Sequence, residues 1–107
     1  MATKDFRQPF YVYGEDQASV CFKHNGERTD IYDCATVDVA VEIASAMNLV
    51  FQCITYGMPD PIAKKEFDGK YGGLNYCADD VQEFVGKMME HGLIPMNFHE
   101  FPSHTVN

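Results

Sequence analysis

The chain alternates first and then turns helical. From Phe10 to Tyr13 it is aromatic and β-branched, and Gly14-Glu15-Asp16-Gln17 supplies a turn. Ala18 to Lys23 alternates: Ala18, Val20 and Phe22 point one way, while Ser19, Cys21 and Lys23 point the other. Asn25-Gly26 follows, a dipeptide that accepts the positive φ angles of a tight hairpin turn. A third run, Arg28 to Cys34, sets Ile31 among Thr29, Tyr32 and Asp33. These runs predict an antiparallel meander.

Beyond Cys34 the apolar period lengthens. Thr36 is placed to cap a helix, and Asp38 in its first turn suits the helix dipole. Ala40, Ile43, Ala44, Met47, Val50, Phe51 and Ile54 recur at helical spacing, with Asp38, Glu42, Ser45 and Gln52 as polar relief. A helix over 37–57 that is apolar around so much of its circumference needs cover from the sheet and from a second element. Gly57 ends it, and Pro59 and Pro61 oppose its resumption.

The next stretch is less regular. Ile62 to Phe67 is expected to form a helical turn, and "DGKYGGLNY" (68–76) a glycine-bearing loop. A second helix is predicted from Asp79 to His91, with Val81, Phe84, Val85, Met88 and Met89 as its apolar stripe and Gly92 as its stop. "LIPMNFHEF" reads as a short edge strand limited by Pro95, with Met96 and Phe98 on one side and Asn97 and His99 on the other. Residues 1–8 and 102–107 are polar and expected to be flexible. The order predicts one α+β domain over 1–107: a three- to four-stranded antiparallel meander packed against two helices.

Charge narrows the partners. Sixteen acidic residues face eight basic ones, a formal charge of −8. Such a field repels phosphate backbones, which speaks against direct nucleic-acid binding, and favours a protein partner with a basic surface. Lys64, Lys65 and Lys70 form the one basic cluster, read as a solvated helix face. No uninterrupted apolar run approaches the ~20 residues of a membrane span, and "MATKDFRQPF" lacks the apolar core of a signal peptide. The expectation is a cytoplasmic protein without membrane contact.

Candidate chemistry is sparse. Cys21, Cys34, Cys53 and Cys77 include no Cys-x-x-Cys pair and sit among apolar neighbours, so they read as buried free thiols. "DGKYGGLNY" lacks the Gly-Lys-Ser/Thr ending of a phosphate loop, and no βαβ unit supports a dinucleotide fold. The paired acids Asp79/Asp80 and Glu15/Asp16 fall at a helix start and a turn. His91, His99 and His104 cluster in sequence, but their spacing around Gly92 and Pro102 suits neither helical nor strand chelation. We therefore expect no cofactor, no metal and no catalytic residue. Tyr71, Leu74, Asn75 and Tyr76 in the loop, with Glu15, Asp16, Glu27 and Asp30, are the candidate contact residues, since tyrosine offers large contact area with few rotamers to freeze. Two alternatives stand beside this: a small metal protein or enzyme using Cys77, His91 and His99, and a homodimer whose mate covers helix 37–57.

The stretch "GERTDIYDCATVDVAVEIASAMN", with its I-x-D-C-x-T segment and A-x-x-I-A-x-A-M-N helix, resembles short accessory proteins of bacteriophages over residues 10–50. Small acidic proteins of that kind include inhibitors of host defences, anti-CRISPR proteins among them. The resemblance implies a non-enzymatic inhibitor acting in the host cytoplasm by occupying a host protein or nucleoprotein complex. It carries no active residues with it.

Overall fold

The computed structural model describes residues 6–24, 26–72 and 78–94. Their order is β1 (Tyr11–Tyr13), β2 (Ala18–His24), β3 (Glu27–Cys34), α1 (Val37–Tyr56), α2 (Pro61–Tyr71) and α3 (Ala78–Glu90). The strands form an antiparallel sheet in the order β1-β2-β3, as the meander predicts. The class is α+β. The possible strand around Met96 to His99 lies outside the described residues.

The alternation in β2 sets the inner face. Ala18, Val20 and Phe22 are buried against α1, with Val12 and Tyr32 flanking Val20 across the sheet. One departure from the simple period sits in β3. Val20 faces Tyr32, yet Cys21 faces Asp30, so Ile31 is an extra residue in a bulge. The bulge lets the consecutive residues Ile31 and Tyr32 both pack on the core, which a strict pleat forbids.

Helix α1 is the centre of the fold. Thr36 caps it, its hydroxyl accepting from the Val39 N–H at 3.2 Å. Gly57 closes it at φ 81, donating its N–H to the Cys53 carbonyl. Sheet, α2 and α3 all pack on it, which supplies the cover its apolar circumference requires. It is 20 residues long and holds an 18-residue window of mean hydropathy 1.5, so it is also long and apolar enough to cross a membrane by length and composition. Uninterrupted apolar runs do not reveal this, because Asp38, Glu42, Ser45, Asn48 and Gln52 break them. In the fold Asn48 and Gln52 are what α1 uses to hold its neighbours.

The Asn48 side chain accepts from the Phe10 N–H at 2.9 Å and donates to the Phe10 carbonyl at 3.0 Å. Gln52, with no exposed surface, donates to the Arg7 carbonyl and accepts from the Asp60 N–H, both at 2.9 Å. One helical turn apart, these amides fasten the segment entering β1 and the start of α2. The segment before β1 also meets the end of α1. Phe6 packs edge-on to Tyr56, and the Arg7 N–H donates to the Tyr56 hydroxyl.

One correction concerns the helices. There are three among the described residues, not two: α2 extends the expected turn at Ile62 to Phe67 through Asp68, Gly69, Lys70 and Tyr71. Asp60 caps it onto the Ile62 N–H and Pro61 occupies its first turn, so the proline that bars continuation of α1 begins a new helix. Helix α3 ends as expected at Gly92, whose N–H donates to Met89 while Leu93 donates to Met88, the paired bonds of a Schellman cap.

Candidate functional site

Because α1 covers the inner face of the sheet, the residues of opposite parity make an outer face. Pairing sets its rows: Tyr11, Cys21 and Asp30 in one, Tyr13, Ser19 and Asp33 in the next, Lys23 with Arg28 beyond. Tyr13 is 57% exposed, and Lys23, Arg28, Asp30 and Asp33 are exposed as well.

Local interactions order this face. The Arg28 guanidinium lies 3.7 Å from the Tyr13 ring centroid, and its Nε donates to Asp30 at 3.0 Å. The Ser19 hydroxyl donates to the Asp33 carboxylate at 3.0 Å. Beneath them Cys21 is wholly buried, its Sγ 3.4 Å from the Ser19 carbonyl. Burial first, then the hydrogen bond and negative charge of Asp30, push the Cys21 thiol up to about 11. Alternation alone would leave Cys21 half-open.

At one end of the face, Gly14 to Gln17 turn between β1 and β2. Gly14 has φ 123, and a Cβ there would stand 2.4 Å from the Gln17 carbonyl oxygen, so only glycine fits. The turn holds Glu15 and Asp16 in solvent. A groove of about 570 Å³ runs along this end, with Tyr13, Gln17, Ser19, Arg28 and Asp33 among its walls.

The expected contact residues separate into three places. Glu15 and Asp16 lie in the turn whose Gly14 and Gln17 line the groove. Asp30 is on the same face but engaged by Arg28, and Glu27 begins β3 opposite His24, about 20 Å from Ala18 along β2 at roughly 3.3 Å per residue. Tyr71 is not in a loop at all. It is the last residue of α2, half-buried, its ring 4.7 Å from that of Phe67, and α2 packs on α1. Leu74, Asn75 and Tyr76 lie outside the described residues. Tyr11, Tyr13, Ser19 and Asp33 were missed, although the β2 alternation already assigned Ser19 to the outward side.

Chemistry for catalysis is limited among the described residues. Cys21, Cys34 and Cys53 are free thiols, each raised above its ordinary pKa chiefly by burial, the reverse of an activated nucleophile. His91 packs edge-on against Phe22 at 5.2 Å. No group of three or more His, Cys, Asp or Glu side chains there is placed to hold a metal. Cys77 and His99 fall outside the described residues.

Comparison with protein-family models, with curated proteins and with solved structures gave no match. The site is therefore defined by its own geometry: an α+β protein with helices on one face of a small sheet and a tyrosine- and carboxylate-bearing face opposite.

Proposed function

We propose that the chain is a non-enzymatic binding protein that docks a basic partner protein on the outer face of its sheet, at the end carrying Glu15, Asp16 and Asp33. One observation carries the reading. The exposed Tyr13 ring stands at a groove whose neighbouring carboxylates, Glu15, Asp16 and Asp33, form no salt bridge among the described residues. A rigid aromatic surface beside unneutralised acids is what a lysine- or arginine-bearing surface recognises, by stacking and by charge. Arg28 already uses the Tyr13 ring in this way within the chain.

The phage resemblance adds the mode of action. Occupying a host complex in the cytoplasm inhibits or modulates it without chemistry by the small protein. In this reading Leu74, Asn75 and Tyr76 are a secondary contact and Tyr71 a packing residue.

The test is retention of a partner from bacterial host lysate by the wild-type chain and by the Glu15→Gln, Asp16→Asn, Asp33→Asn triple variant. The wild type is expected to retain a basic protein at low salt, less of it at physiological salt, and the variant much less at either. Recovery of no partner at either salt, or equal recovery by the variant, refutes the reading.

A further inference from the structure

The opposite end of the outer face has the opposite character. Arg7, Pro9, Tyr11, Lys23 and Leu93 line a shallow pocket of about 480 Å³ with no carboxylate among its described residues. Its construction follows from the strand pairing. Tyr11 faces Cys21, so Lys23, two residues further along β2, stands on the same side of the sheet as Tyr11. Arg7 is fixed from behind: its N–H and carbonyl are held by Tyr56 and Gln52, and its guanidinium lies 5.5 Å from the Phe51 ring.

Among the described residues neither cation has a carboxylate partner. In a chain with twice as many acids as bases, Arg28 pairs with Asp30 and Lys64 with Asp68. Arg7 and Lys23 form no salt bridge among the described residues. The residue directly across from Lys23 is Arg28, another cation, and the next carboxylate on that face of β3, Asp30, is already taken, while Glu27 falls at the opposite parity. Two positive charges left facing one pocket, beside a tyrosine hydroxyl and an apolar wall of Pro9 and Leu93, make a receptor for a negative group.

We propose that this pocket binds an oxyanion, a phosphoryl or carboxylate group, between Arg7 and Lys23, with Tyr11 as a further donor. The guanidinium presents a fork to two oxygens, and the ammonium supplies a point charge from the other side. The proposal does not depend on the basic-partner reading, which concerns the other end of the sheet.

The test is NMR titration of the full chain with inorganic phosphate and, separately, with acetate, at constant ionic strength. Saturable shifts centred on Tyr11, Lys23 and Leu93 are expected. In the Arg7→Gln, Lys23→Gln variant the affinity should fall at least about fivefold, while Lys65→Gln, which removes one charge from an exposed position of α2, leaves it unchanged. Response to phosphate alone assigns a phosphoryl ligand, and response to acetate as well admits carboxylates. Absence of saturable shifts with both anions, shifts centred elsewhere, or equal affinity in the double variant overturns the proposal. Because the wild-type shift map is read directly, the result stands even if the double variant is less stable.

Discussion

Asn48 treats Phe10 as a neighbouring strand would. Its side-chain amide takes the Phe10 N–H at 2.9 Å and gives its own N–H to the Phe10 carbonyl at 3.0 Å, across a sequence separation of 38. Phe10 itself is buried between Phe22 and Phe51, with ring centroids 6.4 Å from each. The pair therefore fixes both the entry to β1 and the ring that joins the sheet to α1.

Replacing Asn48 by Leu is expected to destabilise the fold although it lengthens the apolar stripe of α1. Two part-buried backbone groups lose their partners, a cost of about 2–3 kcal/mol. Asn48→Asp should be comparably harmful, since a carboxylate cannot donate to the Phe10 carbonyl. Urea unfolding checks both. A Leu variant as stable as wild type would remove Asn48 from its structural role.

Gly14 and Gly57 both have positive φ but should respond differently to alanine. At Gly57 the added Cβ meets nothing within 4 Å, so only backbone strain of about 1–2 kcal/mol is expected. At Gly14 the Cβ would collide with Gln17, so the turn must move and carry Glu15 and Asp16 with it. Thermal unfolding should rank Gly14→Ala as the more damaging, and partner retention should fall in that variant alone.

Stability should decline in alkali. The Cys21 thiol is raised from 9.0 to about 11 by burial and by Asp30. Between those values the unfolded chain releases the proton and the folded one keeps it, so the stability present below pH 9 is lost as pH rises through 11. Cys34, Cys53 and Tyr32 are raised too, Tyr32 first by burial and then by its bond to Glu83, and add losses of the same sign. Chemical denaturation across that range should show a shallower decline for Cys21→Ala than for wild type.

Tyr32 and Glu83 form a bond of 2.8 Å between β3 and α3. Tyr32→Phe and Glu83→Gln are each expected to cost about 1 kcal/mol, and the double variant scarcely more than either, because the loss is shared. A double-mutant cycle by urea unfolding measures this. Additive losses would mean that the two side chains act separately.

The parts legible in the sequence are those set by local periodicity and capping. The β2 alternation, the Thr36 cap and the Gly57 and Gly92 stops place the sheet, α1 and α3 almost to the residue. Helix α2 was hidden because its apolar content is low, and because Gly69 and Gly72 made its second half look like a loop. Gly72 is a helix cap, and Gly69 is tolerated inside. The roles of Asn48 and Gln52 depend on segments far away in sequence, so composition could mark them only as interruptions. The outer face was half legible. Glu15, Asp16 and Asp30 were named, but the bulge at Ile31 decides which β3 residues join them, and a bulge has no reliable signature in one sequence.

The central claim is that the outer face of the sheet receives the partner. Hydroxyl-radical footprinting of the chain, free and saturated with the protein it retains, tests this directly, because Tyr13, Met58 and Tyr71 report on different surfaces. Docking at the Glu15, Asp16 and Asp33 end should cost Tyr13 its reactivity in the complex while Met58 and Tyr71 keep theirs. Protection of Tyr71 with Tyr13 unchanged would contradict it.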